Sequence, residues 1–291
     1  MEKKFNKALV IFIDILGSKS RKEFNELYKI NRVFHSVLRG NKKNDRDYTS
    51  YQRHIYTFSD CAYIIYDYKN HETNNIGGLI NVAFLNSEVI FLKLLGQNII
   101  FRGGASYGDV YYDKHKNLFF GAAINEAYRL ESTEAKYPRI VLNDFIVNEL
   151  LYNTIAEEPR SYISKDTDGK QFFNYFHSIR RGIDCSIIVN KTNQQLMDDI
   201  IALCDKNILQ YENDQNIRSK YEWLKKITTD SICENTGLKM NWTNTQLLNQ
   251  YIKELEAQDV KFVYNLLPNV MPTETNTTEE VILNGFTKKE T

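Results

Sequence analysis

Cysteine is scarce and scattered in this sequence. Its four residues, Cys61, Cys185, Cys204 and Cys233, form no CxxC pair, and none lies beside a histidine at zinc-like spacing. That spacing excludes a zinc knuckle and leads to the expectation of reduced thiols in a cytoplasmic protein. Net charge is lacking as well. Thirty-seven basic residues face thirty-seven acidic ones, so no global positive field exists to gather nucleic acid or an anionic membrane, and a phosphate ligand must be held by local groups. Long apolar runs are also missing: the nearest approach, Val89 to Leu95, falls far short of the roughly 20 residues that a membrane helix needs. At the start, MEKKFNKALVIFIDILG has a basic flank and a short apolar run, but Asp14 interrupts it and no small-residue cleavage site follows. A buried strand explains that segment better than a signal peptide. No internal repeat is visible.

What the chain does have is length, 291 residues, enough for one large domain or a domain with an extension. Residues 1–190 carry β-rich apolar runs punctuated by glycine and are expected to form the catalytic domain. Residues 191–271 read as a helical C-terminal extension, and residues 272–291, beginning PTETNTTEE, as a polar, flexible tail. Ala8 to Asp14 (ALVIFID) predicts a buried strand ending in a carboxylate, followed by Gly17 and a helix to about Leu38. Asn41 to Arg53 reads as a loop. His54 to Tyr68 (HIYTFSDCAYIIYDY) predicts a hairpin with Ser59 and Asp60 at its turn, and Gly78 to Leu95 a helix. Ile99 to Tyr112 (IIFRGGASYGDVYY) predicts a second, glycine-bearing hairpin, and Phe120 to Glu131 (FGAAINEAYRLE) the start of another helix. Short strands are expected at Arg139 to Leu142, Gln171 to Phe176 and Asp184 to Val189, with a helical stretch at Asp144 to Leu151. Further helices are expected near Gln194 to Tyr211, Arg218 to Thr228 and Asn244 to Ala257. This order predicts an α+β fold: a ferredoxin-like, antiparallel-rich sheet with helices packed on one face.

Asp14 and Asp60 each stand where an apolar strand meets a turn, so one sheet edge can present both carboxylates. Magnesium or manganese bound to a triphosphate takes a few carboxylate oxygens, with phosphate and water completing the shell, and needs no histidine or cysteine. Either aspartate alone would serve equally well as a cap for the turn that follows it. Asn125 and Arg129, four apart on a predicted helix, share a face from which an amide and a guanidinium can grip ribose and phosphate. The competing reading is a solvated helix face, with Arg129 bonded to Glu126 or Glu131.

In order and spacing, FIDILG, TFSDC, RGGASYGDVYY and FFGAAINEAYRLES resemble the catalytic domains of class III nucleotidyl cyclases, over about residues 6–190. The resemblance implies a class III cyclase core and a set of roles. Asp14 and Asp60 would be metal ligands, with the main chain of Ile15 contributing, and the amides of Ile15, Leu16 and Gly17 would cradle the triphosphate. Asn125 would orient the ribose, and Arg129 would neutralise charge building on the α-phosphate. Lys165 and Lys170 are the two candidates for a phosphate lysine on a late strand. Two divalent ions per site, Mn2+ or Mg2+, would activate the 3′-hydroxyl and hold the leaving pyrophosphate. Family members work as head-to-tail homodimers, so Asp14 and Asp60 of one chain are expected to meet Tyr56, Arg102, Asn125 and Arg129 of the other.

Departures from the family carry information too. Purine cyclases place a lysine four residues before the second metal aspartate and a polar residue seven before the asparagine; here those positions are Tyr56 and Leu118. A tyrosine ring shrinks the base pocket, and the chain thereby resembles the pyrimidine cyclases of the Pycsar antiphage defence system. Arg102, beside Gly103 and Gly104, is a pure donor that suits O4 or O2 of uracil better than the exocyclic amine of cytosine. UTP and cyclic UMP are therefore the expected substrate and product, CTP and cyclic CMP the alternative, with a separate effector reading the product. Tyr56 as a packed strand aromatic and Arg102 as a structural ion pair are the competing readings. A non-catalytic nucleotide sensor on a cyclase fold is disfavoured because all four matched positions are intact. A polymerase-like palm shares the sheet and the two aspartates but not the Asn125/Arg129 pair.

Overall fold

The run Ala8 to Ile13 lacks polar alternation because the strand it forms is covered on both faces. In the computed structural model, which describes residues 4–18, 21–42, 49–113, 116–153 and 162–233, this strand is β1 (Asn6–Ile15). It lies between β3 (Cys61–Tyr68) and β4 (Phe101–Asp113), antiparallel to both. β2 (Tyr51–Phe58) pairs with β3 at the edge. With α1 (Phe24–Lys42) and α2 (Ile76–Leu95) these strands make a βαββαβ unit of order β2-β3-β1-β4, the ferredoxin-like arrangement. Beyond β4 the sheet continues through β6 (Ile140–Leu142), β8 (Gln171–Phe173) and β7 (Ile163–Lys165), while β5 (Leu118–Phe120) pairs with β4 off this path. Only β4 and β6 run parallel among the described pairs. The expected α+β fold with a mostly antiparallel sheet is what the chain adopts.

The pleat sorts the core into two layers. Leu9, Ile11, Ile13 and Ile15 join Ala62, Ile64 and Tyr66 in the main core beneath α1 and α2, with Phe34, Phe84 and Phe91. Ala8, Val10 and Phe12 join Tyr56, Tyr63 and Ile65 on the other side, against Ala123, Ile124 and Ala127 of α3 (Ala122–Thr133). Helices therefore cover both faces of the sheet, α1 and α2 the expected one and α3 the other. The even positions of β1 are as apolar as the odd ones, which is why α3 can dock there.

Gly103 and Gly104 do not make a turn. The segment expected as a hairpin is one 13-residue strand, β4, and its hairpin partner is β5, further along the chain. A Cβ on Gly104 would overlap the carbonyl oxygen of Ala127 and Cβ of Leu130, and one on Gly103 would overlap the Phe12 carbonyl oxygen. The glycines admit α3 and β1 at close range. Gly121, at φ +143°, opens α3 in a conformation that side chains avoid.

α2 is apolar nearly all round and buried accordingly. Its mean hydropathy of 1.6 over a membrane-length window passes the test of length and composition for a spanning helix, with 89% of that window buried. Contrary to expectation, one segment does approach membrane composition; the fold uses it as the core helix.

After β6 come α4 (Asp144–Asn148), a π-turn over Glu149–Asn153, then α5 (His177–Arg180) and α6 (Ser186–Val189). The strand expected at Asp184 to Val189 is thus absent, because a short apolar run does not fix its own period. Tyr51 to Arg53, read as loop, begin β2. α7 (Asn193–Gln210) starts at a capping box formed by Thr192 and Gln195 and packs against α8 (Gln215–Cys233). The helix expected at Asn244 to Ala257 and the tail 272–291 lie outside the described residues.

Candidate active site

Asp14 lies near the end of β1, with Cys61 on β3 and Arg102 on β4 as cross-strand neighbours. Asp60 is the second residue of the two-residue β2–β3 turn, whose first residue, Ser59, has φ +48°. The Ile15 amide donates to the Asp60 carbonyl at 2.9 Å, which ties that turn to the end of β1. Both carboxylates act on the Cys61 thiol: burial first, then Asp60, Asp14 and Glu131, push it up to about 12. Three carboxylates therefore gather at one end of the sheet. Arg102 offsets part of that charge, pairing with Glu131 at 2.6 Å and lying 3.8 Å from Asp14, and it donates to the Ala135 carbonyl at 3.2 Å.

An excess of hard oxygen donors suits a magnesium-like cation. Among the described residues no three His, Cys, Asp or Glu groups are arranged to enclose a metal. A cation at Asp14 and Asp60 would thus take its remaining ligands from phosphate and water, the habit of magnesium.

Two expected roles meet other contacts here. Arg102 and Asp14 stand side by side on paired strands of one chain, and the ion pairs of Arg102 fit the structural reading. The amides of Ile15 and Leu16 are already engaged, donating to Asp60 and Ile100 carbonyls at 2.9 Å each, which closes them to a triphosphate in this conformation. Gly17 follows in a turn at φ +82°. The Ile15 carbonyl accepts from the Ser18 hydroxyl at 3.2 Å.

The other candidates stand on the outer face of α3, where Asn125 and Arg129 are exposed one turn apart. Arg129 donates twice to Glu126, both at 2.7 Å, and once to Glu134 at 2.7 Å, and these bonds push its pKa up. Glu134 also accepts from Lys170 at 2.5 Å. Lys170 and then Arg129 hold the Glu134 carboxyl below the usual carboxylate range. A cavity of about 320 Å3 opens here, with Glu126, Arg129, Glu134, Asn143, Asp168 and Lys170 in its wall. Lys165, exposed on β7, is not in that wall, and neither Asp14 nor Asp60 is. Glu134, the hub between the two cations, carried no sequence signal that set it apart from its acidic neighbours.

Tyr56 is 8% exposed, and its ring stacks on Phe119 at 4.3 Å. Its hydroxyl is buried without a hydrogen-bond partner among the described residues, and burial, then Asp113 and Asp67, push its pKa up. It is a packed aromatic that nevertheless carries an unsatisfied polar atom. Leu118, on β5, is 44% exposed.

No protein-family model matches this chain, and no curated protein does. Among solved structures it is similar to a bacterial light-regulated adenylyl cyclase, with 19% identity and a TM-score of 0.36. That likeness covers 49% of this chain and 44% of the other, so the chain spans less than half of that structure's length.

Proposed function

We propose that the chain is a nucleotidyl cyclase that converts UTP to 3′,5′-cyclic UMP and pyrophosphate, a second-messenger synthase in cytoplasmic antiphage defence. Cyclic CMP from CTP is the alternative product. In this reading residues 1–190 are the catalytic domain and residues 191–271 its extension. The observation that carries it is the placement of both acids at one end of the sheet: Asp14 stands opposite Cys61 across β1 and β3, and Asp60, the residue before Cys61, accepts the Ile15 amide on its carbonyl. These two carboxylates, with the main chain of Ile15, would hold two divalent ions, Mn2+ or Mg2+, which when bound would supply Lewis-acid polarisation of the phosphates and a lowered pKa for the 3′-hydroxyl.

The chain's own groups do the rest. Arg129 exchanges its carboxylate partners for the α-phosphate, where negative charge grows as the 3′-oxygen bonds to phosphorus and pyrophosphate leaves. Lys170 is favoured over Lys165 for the phosphate chain because it shares Glu134 with Arg129. Asn125, one turn earlier, orients the ribose. The 3′-proton passes to water, so no protein base is required.

A homodimer completes the site. In a single chain neither acid lines the Arg129 cavity. Phe58, Leu118, Phe120 and Tyr128, between 44% and 53% exposed, leave apolar surface on the α3 side that a second copy would cover. Head-to-tail pairing brings Asp14 and Asp60 of one protomer to Tyr56, Asn125 and Arg129 of the other.

Incubation with Mn2+ and each of the four nucleoside triphosphates, followed by chromatography of the products, tests the reading. Cyclic UMP is the expected main product; no cyclic product, or only cyclic AMP or GMP, overturns it. Triphosphate binding without turnover would favour the sensor reading instead. Tyr56→Phe separates base reading from packing. Since the hydroxyl has no partner among the described residues, its loss should leave thermal stability unchanged or raise it by up to about 1 kcal/mol. The KM for UTP should rise roughly tenfold if the hydroxyl bonds the base. A melting temperature that falls with KM unmoved would reduce Tyr56 to packing.

A further inference from the structure

α8 is joined to the cavity without lining it. Trp223 donates its ring N–H to Asp166 Oδ2 at 2.7 Å. Its ring lies parallel to Tyr137, with centroids 5.9 Å apart, and edge-on to Phe172 at 5.5 Å. Asp166 also accepts from Arg139, whose side chain is completely buried. The second terminal nitrogen of Arg139 pairs with Asp168 at 2.5 Å, which holds the Asp168 carboxyl below the usual range. Both acids belong to the β7–β8 turn, closed by Gly169 N–H to Asp166 O at 3.0 Å and Lys170 N–H to Asp168 Oδ1 at 3.1 Å. Lys170 leaves this turn and meets Glu134 at 2.5 Å, and Glu134 holds Arg129 at 2.7 Å.

An unbroken series of polar contacts thus runs from a C-terminal helix to the two cations of the cavity. A lysine on a free turn loses conformational entropy when a ligand fixes it. Here the turn is fixed in advance, by a buried guanidinium on one side and the indole N–H on the other.

We infer that Trp223 is a positioning residue: through Asp166 it holds the Asp166–Lys170 turn, and with it Lys170, in place for the phosphate chain of a nucleoside triphosphate. The C-terminal helices thereby take part in substrate binding. The ligand's identity rests on the cyclase reading; the geometry does not.

Trp223→Phe keeps a ring against Tyr137 and removes the donor. The KM for UTP should rise roughly five- to tenfold with kcat within about twofold of wild type. The amides of Gly169 and Lys170 should exchange hydrogen faster. Lys170→Ala should raise KM to a similar extent, and the double variant should be no worse than Lys170→Ala alone, because Trp223 acts through Lys170. Additive effects, or a folded Trp223→Phe with wild-type KM, would overturn the inference. Asp166→Asn, which leaves α8 unaltered, replaces Trp223→Phe in the same cycle if that variant does not fold. If wild type makes no cyclic nucleotide, the cyclase reading falls and the cycle is read on binding of inorganic tripolyphosphate by calorimetry. Weaker binding by Trp223→Phe, lost in the Lys170→Ala background, supports the inference. Equal binding by wild type and Trp223→Phe, or none by either, overturns it.

Discussion

Mixing Asp60→Ala protein with Arg129→Ala protein should restore about a quarter of wild-type activity once subunits have exchanged. Half of the dimers are then mixed, and each mixed dimer has one intact site of two. Alone, each variant should fall by about 10²–10³-fold, the usual cost of removing a group aimed at transition-state charge. The reason for expecting rescue is spatial: Asp60 sits at the β2–β3 turn beside Asp14, whereas Arg129 lies on a cavity whose wall includes neither acid. The position of Arg102 sharpens the test. Because it pairs with Asp14 and Glu131 in its own chain, Arg102→Ala should be rescued by Arg129→Ala and not by Asp60→Ala. No recovery in any mixture, with exchange confirmed by mass labelling, would show that the sites are not shared.

Gly104→Ala should lower stability by about 1–3 kcal/mol or more, since the added methyl meets the α3 backbone at Ala127 and has no flexible side chain to displace. For a protein of this size that is a fall in melting temperature of about 2–5 °C or more. Activity should drop further than stability does, because α3 carries Asn125 and Arg129 on its outer face and the methyl pushes the helix off β4. Gly108→Ala is the control: its Cβ would lie 3.6 Å from Cβ of Ala123, an ordinary contact, and its melting temperature should stay within about 2 °C of wild type. Equal behaviour of the two variants would refute the close-approach account of Gly104.

The elements that were legible in the sequence are those whose pattern is local. β1 announces itself as ALVIFID, the β2–β3 hairpin as two β-rich halves around Ser59 and Asp60, and α2 and α3 by helical spacing. What could not be read depends on register and on distant pairing. Gly103 and Gly104 look like turn residues until β1 and α3 are seen pressed against them. Arg102 looks available for a base until strand pairing sets it beside Asp14. The occupied amides of Ile15 and Leu16 likewise depend on Asp60 and Ile100, which reach them only in the folded chain. The Trp223–Asp166–Arg139 link joins residues 57 and 27 positions apart, a separation across which a single sequence carries no signal.

α2 has one more consequence, for the order in which this protein is made. Part of its apolar surface leaves the ribosome before the groups that shield it exist, although β1, α1 and β3 precede it. The Phe84 ring centroid lies 4.5 Å from that of Phe173 and 5.9 Å from that of Tyr162, and Phe91 stacks on Phe101 at 4.7 Å. Some eighty residues must therefore still be translated while a helix of bilayer-like composition waits only partly covered. In that interval a chaperone or the lipid surface competes with native folding, and slow translation beyond residue 95 would favour the competitors.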